Sequence, residues 1–183
     1  MYIEVKIPFG ENNQLASGYN RALAEGTSEW VLFLDHDVFL SCNPRWYEMC
    51  VTAIESLKED TKAACIGCTA GGETHKKGRD ASPFNSDSIE FHIKQAREEY
   101  RKHGNTLIRK HKHITGFFLL VNRKIATEIG FRQQVPGVIK NIDIDFGTRV
   151  LSAGYHNYSM PGLYVYHRRQ TWKLRKSFTT KYD

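Results

Sequence analysis

Residues 30–37 read WVLFLDHD, and this stretch decides the fold of the 183-residue chain. The apolar run at 30–34 is continuous and bounded by polar residues, which is typical of a strand covered on both faces. Asp35 and Asp37 follow it directly, where the chain leaves the predicted sheet. Carboxylates at this spacing can turn toward one Mg²⁺ or Mn²⁺ ion, or they can form an ordinary acidic turn.

Predicted strands and helices alternate on both sides of this run. Further strands are predicted at residues 2–7, 63–69, 114–121, 155–158 and 163–166, and helices at 12–25, 43–57, 88–103, 123–129 and 142–153. This alternation predicts an α/β sheet flanked by helices. Ligands of such sheets bind at the carboxyl ends of the strands, so function should be sought just after the apolar runs.

The composition is that of an ordinary globular domain. Hydrophobic residues make up 40% and charged residues 25% of the chain, which argues against disorder. The longest apolar stretch, residues 114–121, is far shorter than the roughly 18–20 residues of a membrane span. The first residues do not have the pattern of a signal peptide, so we expect a cytoplasmic protein.

The net charge of +6 is concentrated in two segments without acidic residues. One is residues 101–113, and the other is residues 167–182 near the end of the chain. A basic excess of this kind suits an anionic partner such as a phosphate, a nucleic acid or an acidic membrane surface. We therefore predict a single domain at residues 1–166, followed by a basic tail at 167–183.

A second acidic pair, Asp143 and Asp145, stands at the start of the helix predicted at 142–153. Acidic residues in a first turn commonly cap free N–H groups and favour the helix dipole. A carboxylate there could instead act as a general base that takes a proton from a hydroxyl nucleophile. The sequence pattern alone leaves both interpretations open.

The order of these motifs resembles that of family 2 glycosyltransferases of the GT-A fold. The resemblance is carried by the strand ending in Asp35-His36-Asp37, ITGFFLLVNR at 114–123, IDIDF at 142–146 and NNQLASGYNRAL at 12–23. It runs from about residue 2 to residue 167 and implies a GT-A-like (Rossmann-like) mixed sheet. Only one predicted strand precedes residues 12–23, and the base-binding Asp of the family has no counterpart. The resemblance therefore implies an N-terminally shortened nucleotide-binding unit.

The resemblance also implies a reaction. Such enzymes move a sugar from a nucleotide-sugar, usually a UDP-sugar, to an acceptor hydroxyl, and we expect inversion at the anomeric carbon. Asp35 and Asp37 would hold the Mn²⁺ or Mg²⁺ ion that bridges the donor diphosphate, with Asp35 also facing the donor. Asp143 would be the base and Asp145 a supporting carboxylate. His167 matches a further metal ligand of some relatives, although it could equally be a surface histidine.

Three more positions are expected near the donor by the same resemblance. They are Pro8 after the first strand, Gln14 where relatives often carry Arg or Lys, and Gly116, which could also simply pack in a core strand. The acceptor could be a glycan, a lipid or a protein, and the chain could form a homo-oligomer. Two alternative functions stay open: a catalytically silent GT-A domain and a basic nucleic-acid-binding module.

Overall fold

The computed structural model describes residues 2–10, 14–71, 88–133 and 141–168. Its helices are α1 Leu15–Glu25, α2 Trp46–Ser56, α3 Ile89–His103, α4 Arg123–Ile129 and α5 Ile142–Ser152. Its strands are β1 Ile3–Lys6, β2 Trp30–Leu34, β3 Val38–Phe39, β4 Ala63–Gly71, β5 Ile108–Lys110, β6 Phe118–Asn122 and β7 His156–His167. Nearly all of the predicted basic tail lies outside the described residues.

The described strands form one mixed sheet in the order β1-β2-β6-β4-β7-β3, and β5 pairs with β7. β1 is parallel to β2 and β4 to β7, whereas β6 runs antiparallel to both β2 and β4. This confirms the predicted fold class, a mixed α/β sheet flanked by helices and consistent with the GT-A fold. Among the described helices, none is long and apolar enough to cross a membrane.

β2 lies inside the sheet and is buried along its whole length, as its continuous apolar run predicts. Successive side chains of a strand point to opposite faces. Leu32 and Leu34 accordingly join the core cluster that contains residues of α2, while Val31 and Phe33 join the cluster built with α1, α4 and α5. Because both faces of β2 are covered, the carboxyl end of this strand is held firmly in place.

The predicted strands at 155–158 and 163–166 are in fact one strand, β7. Its pairing with β4 shifts register, because Met160 lies opposite Cys68 and Tyr164 lies opposite Thr69. Pro161 falls in this irregular stretch and has no N–H to donate to the ladder. The Thr69 hydroxyl donates to the Pro161 carbonyl at 3.2 Å. The chain therefore bulges at the proline and continues as a strand.

Two other predicted boundaries were wrong. β6 begins at Phe118 and not at residue 114, so Gly116 lies in a turn that precedes the strand. α2 begins at Trp46, because the Asn43 side chain caps a preceding turn by accepting from the Arg45 backbone N–H at 3.2 Å.

The short strand β3 was not predicted. It pairs antiparallel with the end of β7, with Val38 opposite His167 and Phe39 opposite Tyr166. Two residues are too few to show a strand pattern in a sequence. This pairing nevertheless positions the candidate site, because it joins the segment after β2 to the last residues of β7.

Candidate active site

Asp35, Asp37 and His167 come together at the carboxyl end of β2. The Asp35 backbone N–H donates to the Phe117 carbonyl at 3.0 Å, which ties the segment after β2 to the turn before β6. The Asp37 carbonyl accepts from the Arg168 backbone N–H at 2.9 Å, which continues the pairing of β3 with β7. Backbone contacts to two neighbouring segments therefore fix the positions of both aspartates.

The side chains of these three residues form a compact ligand set. His167 Nε2 lies 3.1 Å from Asp37 Oδ1 and 3.7 Å from Asp35 Oδ2. One potential ligand atom from each residue lies within 4.8 Å of the other two. The His167 side chain is only 6% exposed, whereas the Asp35 side chain is 42% exposed and that of Asp37 27%. Both carboxylates are thus partly exposed to solvent, whereas the imidazole beside them is buried.

The pKa values of the two carboxylates shift in opposite directions. Burial raises the pKa of Asp35, and the charges of Asp37 and Asp143 raise it further against the opposing effect of His167. Burial also acts to raise the pKa of Asp37, but the hydrogen bond and the charge of His167 outweigh it, so the net shift is downward. The Phe117 ring stacks on His167 with 5.1 Å between ring centroids. The site therefore concentrates negative charge beside a firmly held histidine.

This donor set fits a divalent cation. Two carboxylates suit Mg²⁺ and Mn²⁺, and an imidazole nitrogen is a ligand that first-row transition metals accept well. Because a bound cation would offset the repulsion between the carboxylates, the electrostatics and the geometry agree. Asp35, Asp37 and His167 are the residues that could hold it.

Asp143 lies beside this cluster, in the first turn of α5. Its Oδ2 accepts the Gly116 backbone N–H at 2.9 Å. A Cβ atom added to Gly116 would lie 3.0 Å from Asp143 Cβ, so the two residues are in close contact. Since the charge of Asp143 also acts on Asp35, the structure brings the predicted base, Gly116 and the predicted metal ligands into one site.

Asp145 is engaged elsewhere. Its Oδ2 accepts from Arg149 Nε at 2.8 Å, and Arg149 also donates to the carbonyls of Ile129 and Gly130. This arrangement ties α5 to the end of α4. A supporting catalytic role for Asp145 stays a prediction, and its observed contacts are structural.

Pro8 and Gln14 lie near the end of β1, which runs parallel to β2 and therefore ends at the same edge of the sheet as Asp35. Pro8 is partly exposed. Gln14 is exposed and precedes α1, where its carbonyl accepts from the Ser17 backbone N–H at 3.1 Å. Their expected roles in donor binding also stay predictions.

Tyr19 is a residue of this region that sequence reasoning missed. It is 4% exposed and stacks on Phe131 with 4.3 Å between ring centroids. Burial strongly raises the pKa of its hydroxyl, and the charges of Asp35 and Asp143 add to the effect. In the sequence, Tyr19 belongs to the apolar stripe of a helix, and that pattern indicates only a core position.

The basic segment at 101–113 is divided between two elements. Lys102, near the end of α3, pairs with Glu99 at 3.1 Å, and Arg109 belongs to β5. β5 pairs with residues 157–159 of β7, far along that strand from His167. The β5 part of this segment therefore lies away from His167, whereas His113, at the end of the segment, packs against Gly147 of α5, one turn from Asp143.

Comparison with known protein families shows what the chain is similar to. Residues 3–130 match the family model described as "Glycosyl transferase family 2". The matched part contains Asp35, Asp37 and Gly116, whereas Asp143 and His167 lie beyond it. No curated protein matches the chain.

Proposed function

The chain belongs to glycosyl transferase family 2, and on that premise we propose that it moves a sugar from a nucleotide-sugar to an acceptor hydroxyl with the aid of a divalent cation. The observation that carries the proposal is the cluster of Asp35, Asp37 and His167 beside Asp143. We propose a UDP-sugar as the donor, by likeness to the family. Asp35, Asp37 and His167 would hold Mn²⁺ or Mg²⁺.

The negative charge of the cluster is the physical reason for proposing a cation. A donor diphosphate is itself anionic, and like charges at close range repel strongly in a partly buried site. When bound, a divalent cation would supply positive charge to the departing diphosphate as a Lewis acid. His167 Nε2 lies 3.1 Å from Asp37 Oδ1, so the two atoms are close enough to face one cation.

Asp143 would act as the general base. The Gly116 N–H holds one of its carboxylate oxygens at 2.9 Å, which leaves the other to accept the proton of an acceptor hydroxyl. The acceptor oxygen would then form a bond to the anomeric carbon. The bond from that carbon to the diphosphate would break, and its electron pair would leave with the nucleoside diphosphate. Attack opposite the leaving group inverts the anomeric centre.

Turnover of a panel of UDP-sugars tests this proposal. UDP release from UDP-glucose, UDP-galactose and their N-acetylhexosamine counterparts should require Mn²⁺ or Mg²⁺. Asp143→Asn should lower it about 100-fold or more, the usual range for loss of a general base. Asp37→Ala should also lower it, because a ligand of the cation is lost. Glu59→Gln is the matched control, since Glu59 is exposed and precedes β4 at the opposite edge of the sheet. Equal turnover in wild type and Asp143→Asn would remove Asp143 as the base.

The same preparation separates the alternative functions. UDP binding that depends on Mn²⁺, with no turnover of any donor, would identify a catalytically silent domain. Salt-sensitive binding to random single-stranded DNA without any response to UDP would identify a nucleic-acid-binding module.

A further inference from the structure

The side chain of Asn20, in α1, holds the backbone of a residue 111 positions further along the chain. Its amide group donates to the Phe131 carbonyl at 2.9 Å, and its carbonyl oxygen accepts from the Phe131 backbone N–H at 2.8 Å. Gly130, the residue before Phe131, has a positive φ of 65°, which glycine adopts at little cost. One asparagine thus binds both backbone groups of Phe131, just after the end of α4.

A second contact with the same segment comes from α5. Arg149 donates to the Gly130 carbonyl at 2.7 Å and also to the Ile129 carbonyl. Residues 129–131 are therefore held from α1 by Asn20 and from α5 by Arg149. The segment that follows α4 thus joins these two helices through hydrogen bonds to its backbone.

The ring of Phe131 continues this connection through the core. It stacks on the Tyr19 ring of α1 with 4.3 Å between ring centroids, and on the Phe146 ring of α5 with 4.0 Å. All three side chains are buried. Because protein interiors are closely packed and transmit strain, a displacement of Phe131 would also displace Phe146.

Asp143 lies one turn of α5 before Phe146. Residues three apart are neighbours on the surface of a helix, so the same part of α5 carries both side chains. The Asp143 carboxylate accepts the Gly116 N–H at 2.9 Å, and the two residues are in close contact. This hydrogen bond joins α5 to the turn before β6, and it would weaken if the first turn of α5 moved.

We infer that Asn20 is a positioning residue for Asp143. By holding Phe131 in place, Asn20 fixes the part of α5 that carries the carboxylate. The effect on turnover rests on the proposed function, whereas the effect on the contact between Asp143 and Gly116 does not. An asparagine that only stabilised the fold would leave this contact unchanged in the folded protein.

Hydrogen exchange of the Gly116 amide, measured by NMR without donor or metal, tests the effect on position. In Asn20→Ala this exchange should be about tenfold faster or more, the order expected when two hydrogen bonds are lost. The Ala63 amide is the internal reference, because it donates to the Asp60 carbonyl at 2.9 Å at the opposite edge of the sheet. Its exchange rate should not change. Asn20 is exposed and alanine favours helices, so this variant should stay folded.

Asn122→Ala is the matched control. The Asn122 side chain also accepts from a backbone N–H, that of Ile125 at 3.2 Å, but it does so at the start of α4. This variant should leave the exchange of Gly116 unchanged. Wild-type exchange of Gly116 in Asn20→Ala would overturn the inference. Faster exchange of Gly116 and Ala63 alike, or equal acceleration of Gly116 in Asn122→Ala, would also overturn it.

Turnover of the donor tests the effect on the proposed reaction. Asn20→Ala should lower kcat about tenfold or more and weaken the binding of UDP by less, because small displacements of a reacting group reduce the rate strongly. In the Asp143→Asn background, Asn20→Ala should have no further effect, since two changes that act on one group are not additive. The same loss of kcat in both backgrounds would overturn the inference.

These outcomes separate the inference from the proposed function. Loss of turnover in Asp143→Asn together with a wild-type kcat in Asn20→Ala would overturn the inference alone. Faster exchange of Gly116 in Asn20→Ala, in a protein that turns over no donor, would support the positioning of Asp143 and overturn the proposed function.

Discussion

Gly116 shows how much a single residue contributes to the candidate site. Its backbone N–H holds Asp143, and its missing side chain leaves room for that carboxylate. The close approach of Asp143 to the turn before β6, and not the packing of a core strand, therefore explains why a glycine suits position 116.

Gly116→Ala should lower turnover more than it weakens the binding of UDP. The new Cβ would lie 3.0 Å from Asp143 Cβ and 3.4 Å from its Cγ, so Asp143 must move by a few tenths of an ångström or more. Small misplacements of a reacting group can cost up to about 100-fold in rate, and we expect a loss of about tenfold or more in kcat. The UDP affinity measured with Mn²⁺ in the same variant is the control. Turnover equal to that of the wild type would show that Asp143 need not hold its observed position.

Single residues were predictable where a local pattern marked them. Asp35 and Asp37 directly follow an apolar strand, and Asp143 begins a helix, so their types and places were visible in the sequence. Tyr19 was not, because a tyrosine in an apolar stripe has the same appearance whether or not carboxylates lie nearby. The contacts of Asp145 with Arg149 could have been suspected, since residues four apart share a helix face.

At the scale of elements, Glu4 and Arg123 join four parts of the fold. Glu4 accepts from the backbone N–H groups of Thr27 and Ser28 at 2.8 and 3.0 Å, and from Arg123 at 2.9 Å. Arg123 also donates to the carbonyl of Leu23, at the end of α1. β1, α1, β2 and α4 thus meet at one ion pair, at the edge of the sheet opposite the candidate site.

This ion pair should make stability depend on pH in the acidic range. The hydrogen bonds from Thr27 and Ser28, together with Arg123, lower the pKa of Glu4 to about 2. Because the folded pKa lies below the unfolded value of about 4.5, the stabilisation is complete above pH 4.5 and is lost as pH falls toward 2. Glu4→Gln should cost about 2 kcal/mol at pH 7, typical of hydrogen bonds to a charged group.

Urea unfolding of wild type and Glu4→Gln at pH 7 and at pH 3 measures this effect. The difference between the two proteins should be smaller at pH 3. Glu48→Gln is the control, since Glu48 pairs with Arg45 on the exposed surface and should change stability little. A difference that does not vary with pH would rule out the charge of Glu4 as its source.

Helices with local signals were predicted well, and elements that depend on distant partners were not. Ser88 caps α3 by accepting from the Phe91 N–H, and Gly104 follows its end at a positive φ of 55°. Both signals lie within the helix's own sequence. The continuity of β7 and the late start of β6 depend instead on pairing with other strands, which local sequence does not specify.

At the scale of the whole molecule, the sheet order creates the site. Asp37 and His167 are 130 residues apart, and they meet because β3 pairs with the last residues of β7. The sequence indicated which residue types could bind a cation, but it could not place these strands side by side. The net charge of +6 likewise indicated an anionic partner without showing that the strand ends carry an acidic cluster.

The coupling between Mn²⁺ and UDP binding tests the central claim most directly. We would measure the Kd of UDP by calorimetry with and without Mn²⁺, in wild type, Asp37→Ala and the control Glu59→Gln. If Asp37 holds the cation that contacts the diphosphate, Mn²⁺ should tighten UDP binding about tenfold or more in wild type and control, and it should have no such effect in Asp37→Ala. Equal tightening by Mn²⁺ in Asp37→Ala and wild type would contradict the assignment of the cation to this site.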